Sequence, residues 1–209
     1  LLKKGLTDLS RRFVFIHLPL LSLREYLALQ EGKYYDMLYP FTGNTKAAGT
    51  IMKRYNILKI FQEYSLHGFR PLFKEGKEDY ANKVMNTIIK SIDEDIPCLV
   101  PQISTNHYRL MRAILGYLGT SAIPRLSVSS LCADWGLGKE KLYQLLEAME
   151  RAHIIRIIRH KKDHSVHSAG AKIFYHEPSL YKSFMEHEGN FREAFTVCAF
   201  QESGRTIWA

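Results

Sequence analysis

Apolar residues recur at helical spacing on both sides of Gly136, and this is the most specific pattern in the chain. Before the glycine, Val128, Leu131 and Cys132 share one face, which predicts a short helix. After the glycine, a longer stripe predicts a second helix. Its members are Leu142, Leu145, Leu146 and Met149. Because glycine adopts turn conformations that other residues avoid, we expect Gly136 to form the turn between the two helices.

The pattern changes from helical to strand-like after the second predicted helix. Ile154–Ile158 is rich in β-branched residues and predicts one strand, and Lys172–Tyr175 predicts another. His160–Gly170, between them, is expected to form the tip of a hairpin. Two helices, a turn and a hairpin in this order predict a winged helix-turn-helix over residues 127–175, a module by which many proteins place a helix and a hairpin against a duplex.

Helical patterns also precede this module. Ser22 followed three residues later by Glu25 is a capping-box pattern, and it predicts the start of a helix. A further helix is predicted at about 46–65 and another at about 77–95. The second of these carries one apolar stripe with a four-residue repeat, which predicts a buried face. Its members are Tyr80, Val84, Ile88 and Ile92.

Two residues are expected to end helices in this part of the chain. Pro97 disfavours the helical conformation of the residue before it, so we expect it to end the helix at 77–95. Gly119 is expected to end a helix at about 106–118. The apolar positions of that helix also share one face, and they are Leu110, Ile114, Leu115 and Leu118.

Both ends of the sequence resemble interrupted elements. Arg12–Pro19 is mostly apolar and predicts a buried strand, and Thr206–Ala209 predicts a short one. Helices are predicted to start near Glu177 and near Asn190. The expected fold class is therefore mainly α: a helical lid-like bundle followed by a winged helix-turn-helix with a small β-hairpin, truncated at both ends.

The composition agrees with a packed protein. Of the 209 residues, 46% are hydrophobic and 24% are charged, values close to those of globular domains. The apolar runs are too short to span a membrane and the first residues lack a signal-peptide layout, so we expect a cytoplasmic protein. Cys98, Cys132 and Cys198 have no metal-type spacing and are expected to be buried free thiols.

Positive charge is concentrated in the predicted hairpin. The chain has a net charge of +8 and a pI of about 9.3, which favours an anionic partner such as nucleic acid. Between His153 and Lys172 there are five Lys or Arg residues and one acid, Asp163, so that five minus one gives +4. The five are Arg156, Arg159, Lys161, Lys162 and Lys172. We expect them to contact DNA phosphates or the minor groove.

The second helix of the module offers weaker candidates for DNA contact. Lys139, Tyr143 and Gln144 are predicted to point outward and could reach a duplex. Acids at Glu140 and Glu147 offset the positive charge of this helix, whereas a helix that reads the major groove is usually basic or rich in amides. This favours phosphate contact over recognition of a base sequence.

The nine histidines of the chain do not predict a metal site. His160, His164 and His167 have spacings of four and three residues, which would bring ligands together on a helix, but this stretch is predicted to be a hairpin tip. No cysteine or acidic cluster supports them. We therefore expect no bound metal.

Three blocks of sequence are recognisable in order: Arg12 with an apolar stretch and Leu18–Leu27, then Phe61–Pro71, and then Tyr175–Leu180 with Gly189–Phe195. Together they resemble a prokaryotic AAA+-like ATPase family that carries a C-terminal domain of unknown function. Arg12, an apolar stretch and Leu18–Leu27 resemble the join between the core and the lid of that family. Phe61–Pro71 resembles a block that has two glycines where this chain has His67 and Gly68. The remaining blocks resemble the start of its C-terminal domain, and they are Tyr175–Leu180 and Gly189–Phe195.

The resemblance implies an organisation into parts of a larger ATPase. These parts are the last strand of the AAA+ core at 1–20, a helical lid-like region at 21–103, the winged helix-turn-helix at 104–176 and the start of a C-terminal α/β domain at 177–209. ATP and magnesium would bind the intact protein, and Arg12 is the candidate arginine finger. The chain contains no G-x-x-x-x-G-K-[ST] motif, so we expect it neither to bind nor to hydrolyse ATP alone.

Two other functions fit the same patterns. A freestanding transcriptional regulator would bind DNA through residues 127–175 and dimerise through its N-terminal helices. A protein-docking module would use the same surfaces for another protein. The expected partners are therefore duplex DNA and, in the intact protein, a second copy of the chain.

Overall fold

A computed structural model of the protein describes residues 16, 18–36, 45–122, 125, 127–161, 171–184 and 188–208. Across these residues the fold is mainly α-helical, with a small antiparallel sheet of two strands. This agrees with the expected class. Within the same ranges, no helix has both the length and the apolar composition needed to cross a bilayer.

The first part of the chain forms a helical region. Its elements are α1 (Leu23–Glu31), α2 (Thr45–Arg54), α3 (Ile57–His67), a 3-10 turn (Pro71–Glu75) and α4 (Tyr80–Lys90). The predicted capping box at the start of α1 is confirmed, because Ser22 Oγ accepts a hydrogen bond from Glu25 N at 3.3 Å and Glu25 Oε2 accepts one from Ser22 N at 2.8 Å.

The helix predicted at 46–65 is two helices. The chain leaves the helical conformation after Arg54, and Asn56 caps the start of α3, where its Oδ1 accepts a hydrogen bond from Lys59 N at 3.1 Å. Asparagine is a strong N-cap because its side chain satisfies a backbone N–H that has no partner within the helix. The break therefore has a local cause that the apolar periodicity did not reveal.

The prediction that Pro97 ends the fourth helix is wrong. The chain continues from α4 through a π-helical turn, Ser91–Asp95, into α5, Ile96–Leu99. Ile96 N donates to Ser91 O, five residues earlier, and Pro97 then lies in the first turn of α5. A missing N–H at that position costs little, because the first N–H groups of a helix have no partner within it.

The second part of the chain contains helices followed by the antiparallel pair of strands. Its elements are α6 (Thr105–Thr120), α7 (Val128–Trp135), α8 (Lys139–Arg151), β1 (Ile155–Ile158) and β2 (Lys172–Tyr175). Helix α6 continues past Gly119, contrary to the prediction. A glycine inside a helix costs only about 1 kcal/mol, and Ser121 N still donates to Tyr117 O at 2.8 Å.

Gly136 forms the turn after α7, as predicted. Its φ of 59° lies in the left-handed region, and Leu137 N donates to Cys132 O at 3.0 Å across the helix end. The strands β1 and β2 are antiparallel, with Ile155 opposite Tyr175. The secondary structure expected for residues 127–161 and 171–175 is thus present.

The C-terminal helices are confirmed, and the C-terminal strand is not. Helix α9 covers Ser179–Phe184 and α10 covers Glu188–Glu202, whereas residues 205–208 form neither helix nor strand. A strand needs a partner for its backbone hydrogen bonds, and the sheet of this protein pairs β1 with β2. The strand predicted at Arg12–Pro19 lies mostly outside the described residues.

The predicted apolar stripes of α4, α6 and α8 are all buried. With side chains from the strands and from α9 and α10, they form one continuous hydrophobic cluster.

The cysteine prediction holds only in part: Cys198 is buried, Cys132 is half-buried and Cys98 is exposed.

Candidate nucleic-acid interface

Arg156 lies inside the protein and not on the predicted DNA surface. Only 7% of the residue is exposed, and its guanidinium donates to His176 O at 2.9 Å and to Gln201 Oε1 at 3.0 Å. It also forms an ion pair with Glu202. Because Gln201 and Glu202 of α10 bind the guanidinium, its charge is directed into the protein. The DNA contact expected of Arg156 stays a prediction, and the structure gives this residue a packing role.

Two further hairpin cations have acidic partners within the chain. Arg159 binds Glu150 through both guanidinium nitrogens, at 2.5 and 3.1 Å, and Lys172 forms an ion pair with Glu193. Both cations remain partly exposed, with 29% and 28% of their side chains accessible. The carboxylates of Glu150 and Glu193 offset the charge of these two cations. The surplus of positive charge at the base of the hairpin is therefore smaller than the sequence indicated.

Lys161 is the exposed cation of the described hairpin residues. Lys162 is also a candidate, but it lies outside the described residues, as do His164 and His167 and the candidate finger Arg12. In the part of the chain that is described, no group of three or more His, Cys, Asp or Glu residues is arranged to hold a metal ion.

The candidates on α8 differ in their exposure. Lys139, in the first turn, is exposed, and so is Gln144, whereas Tyr143 is half-buried. Glu140 and Glu147 are exposed on the same helix, so acids stand beside the candidate cations as the sequence indicated. Of the three α8 residues predicted to contact DNA, Lys139 is therefore the exposed cation.

Lys141 binds a segment that sequence reasoning did not associate with α8. Its Nζ donates to Pro101 O at 2.6 Å, across 40 residues of sequence. Beside this contact, a cleft of about 220 Å³ separates Leu99–Pro101 from the outward side chains of α8. No local pattern predicts a contact between such distant segments.

A second polar cleft of about 220 Å³ lies beside β1 and contains two histidines. The rings of His153 and His176 are 4.8 Å apart, and His176 Nε2 is 3.3 Å from a nitrogen of Arg156. An arginine only donates, so Nε2 is the acceptor. Cys198 is close by, but burial raises the pKa of its thiol to about 11. A thiol with that pKa is a poor nucleophile.

Glu177 is a buried carboxylate that the sequence analysis did not single out. It is 1% exposed and accepts hydrogen bonds from Arg70 Nε at 2.5 Å, from Tyr80 OH at 2.6 Å and from Ser179 OH at 2.8 Å. Burial and the charge of Glu177 raise the pKa of Tyr80, which keeps its hydroxyl protonated as a donor. The cluster joins α4 and the 3-10 turn to the segment that follows β2.

The blocks that carry the family resemblance meet in the interior. Leu21 N donates to Phe69 O at 2.9 Å, Tyr64 OH donates to Leu21 O at 2.6 Å, and the rings of Phe61 and Phe195 are 5.3 Å apart. These residues belong to the first, second and last of the resembling blocks. These side chains therefore pack against one another.

An apolar cleft of about 520 Å³ lies between α1, α2 and the start of α3. Its apolar lining consists of Leu23, Leu27, Ala48, Ile51, Met52 and Ile57.

Comparison of the chain with protein-family models, with curated proteins and with solved structures found no match. The function must therefore be inferred from the residues themselves.

Proposed function

We propose that this chain is the lid-like and winged-helix part of an AAA+-like ATPase, and that its hairpin contacts duplex DNA. The observation that carries the proposal is the order of α7, the Gly136 turn, α8 and the antiparallel pair β1–β2. A winged helix has this order of elements. The exposed cations Lys139 and Lys161 support contact with phosphates, because charge attracts DNA without regard to its sequence.

The packing supports mechanical coupling between the lid-like region and the winged helix. One hydrophobic cluster extends through both regions, and Glu177 binds Arg70 and Tyr80 from the first. A change in the position of the lid would therefore move the winged helix with it. In the intact ATPase this would couple the state of the nucleotide to the position of the hairpin on DNA.

The residues of this chain do not fit a nucleotide site. A phosphate-binding loop would need the glycine-rich motif that the sequence lacks, and the described residues contain no cluster arranged to hold a metal. We therefore assign no step of hydrolysis to the residues of this chain. ATP and magnesium belong to the proposal for the intact protein, as does the candidate finger Arg12.

The ATPase proposal is tested with the complete product of the gene. We expect it to hydrolyse ATP, and we expect hydrolysis to change when duplex DNA is added. Arg12→Ala should lower the rate by about a thousandfold if the arginine contacts the phosphate of a neighbouring subunit. Absence of ATP hydrolysis by the complete protein would reject the proposal.

DNA contact is tested with the 209-residue chain and a fluorescent duplex. The double variant Lys161→Ala, Lys162→Ala should weaken binding several-fold, and the affinity of the unaltered chain should fall steeply as salt rises. The double variant Lys53→Ala, Lys74→Ala is the matched control, because both residues are exposed cations of the helical region and the same number of charges is removed. Equal effects of the control and of the hairpin variants would argue against the hairpin.

A protein-docking module is the second candidate, and two observations favour it. Arg156, Arg159 and Lys172 are ion-paired within the chain, which reduces the charge available to DNA. The apolar cleft beside α2 also offers a surface for another protein. This candidate, and the freestanding regulator, predict self-association that light scattering would detect. A regulator would also bind one DNA sequence in preference to others.

A further inference from the structure

The outward face of α8 is the part of a winged helix that would enter the major groove. In this chain the residues opposite the buried stripe recur at spacings of four, three and four positions, and all are exposed. They are Glu140, Gln144, Glu147 and Arg151. A helix that reads bases projects this face beyond its surroundings.

The segment Leu99–Pro101 lies along one flank of that face. It lines the cleft of about 220 Å³ together with Gln144, Glu147 and Arg151. Ala148, on the same flank, is only 3% exposed. The outward side chains of Gln144, Glu147 and Arg151 therefore form one wall of a cleft, and the segment Leu99–Pro101 forms the other.

The segment is held firmly against α8. Ile96 and Val100 are buried in the main hydrophobic cluster, and Lys141 Nζ donates to Pro101 O at 2.6 Å. The Lys141 ammonium also lowers the pKa of His107, which burial lowers more. Because its Nζ binds Pro101 O, the side chain of Lys141 is directed towards this segment.

The dimensions of DNA determine whether α8 can enter the major groove with this segment beside it. The major groove is about 12 Å wide, and a helix with its side chains is about 10–12 Å across, so one helix fills the groove. The major groove therefore leaves no space for the segment Leu99–Pro101 beside the outward side chains of α8. The carboxylates of Glu140 and Glu147 would in addition repel the phosphates that line the groove.

Resting on the DNA contact proposed above, we infer that the segment Leu99–Pro101 keeps α8 out of the major groove. The chain then holds DNA through backbone phosphates alone, and its binding is indifferent to base sequence. Contacts come from exposed cations outside the cleft, such as Lys139 and Lys161, and Gln144 reads no base.

The experiment compares two fluorescent duplexes that have unrelated sequences and equal G·C content. Both should bind the 209-residue chain with the same affinity, and methylation of guanine N7 in the major groove should not change it. Lys139→Met and Lys141→Met form a matched pair on one helix with the same change of charge. Lys139→Met should weaken binding to both duplexes by about threefold or more, and Lys141→Met by less than about twofold.

Each other result has a definite meaning. A preference for one duplex, or loss of binding on N7 methylation, would overturn the inference and leave DNA binding in place. If Lys141→Met weakened binding to the duplexes as much as Lys139→Met, the inference would also be overturned, because Lys141 would then face DNA. Absence of binding to either duplex would overturn both the inference and the proposed DNA contact.

Discussion

At the scale of single residues, the buried carboxylate of Glu177 organises the contact between two distant parts of the chain. Its hydrogen-bond donors come from positions 70, 80 and 179, and two of these lie about a hundred residues away. A buried charge is tolerated only where hydrogen bonds replace the lost water. The sequence contains no local sign of this arrangement, since a glutamate before Pro178 is ordinary at the start of a helix.

Replacing Glu177 by alanine should destabilise the protein strongly. The change leaves the buried hydroxyl of Tyr80 without its acceptor and removes the partner of Arg70, at an expected cost of about 3 kcal/mol in the free energy of unfolding. Urea unfolding measures it. Glu75→Ala is the control, because Glu75 pairs with Lys83 on the surface and should cost less than about 1 kcal/mol. Similar losses for the two variants would refute the role of Glu177.

His67 makes the stability depend on pH. Among the described residues its Nε2 is a buried nitrogen without a hydrogen-bond partner, and burial, followed by the charge of Lys77, lowers its pKa. The unfolded chain therefore binds the proton more readily than the folded chain. The stability that the folded protein has from a neutral His67 is fully present above the unfolded pKa of about 6.5. It is lost as the pH falls below that value.

The pH prediction is checked by unfolding the protein and its His67→Gln variant between pH 7.5 and pH 5.5. We expect the unaltered protein to lose more stability than the variant on acidification, because glutamine does not titrate. Other groups, such as His107, titrate in both proteins and cancel in the comparison. An equal loss in both would show that His67 has no part in the pH dependence.

At the scale of elements, local chemistry determines where several helices begin or end. The capping box at Ser22 and the left-handed turn at Gly136 were both visible in the sequence, because each depends on residues only a few positions apart. The π-helical turn before Pro97 was not visible. It depends on burial of Ile92 and Ile96 in the core, which keeps the chain helical across the proline.

Gly136→Ala should weaken the turn between α7 and α8. A side chain at a φ of 59° is strained, and we expect a loss of about 1–2 kcal/mol in the free energy of unfolding. No atom lies within 4 Å of the added carbon, so the loss would report backbone strain alone. Gly116→Ala, on the exposed face of α6, should instead stabilise the protein by about 0.5–1 kcal/mol. Equal losses of unfolding free energy for Gly136→Ala and Gly116→Ala would show that backbone strain at Gly136 is not the cause.

At the scale of the whole molecule, the helical region at residues 23–90 and the region at residues 105–175 share one hydrophobic cluster. The sequence resemblance divided the chain at positions 20, 103 and 176, but side chains from both sides of 103 and 176 pack into the same interior. Such shared packing makes a chain unfold as a unit.

Unfolding should accordingly be cooperative across both regions. Tryptophan fluorescence of a Trp208→Phe variant reports on Trp135 in α7, and far-UV circular dichroism reports on the helices of the entire chain. The two transitions in urea should coincide. Separate midpoints would show that the regions are independent, and the proposed coupling between lid and winged helix would lose its physical basis.

The sequence by itself determined the class of the fold, the apolar stripes, the turn at Gly136 and the pairing of the two strands. These depend on periodicity and on residues close together in the chain. The tertiary structure alone decided which charges reach solvent: it buried Arg156 under α10, paired Arg159 and Lys172 with acids and placed Leu99–Pro101 beside α8. Charge can be counted in a sequence, but its exposure depends on distant residues that only folding brings together.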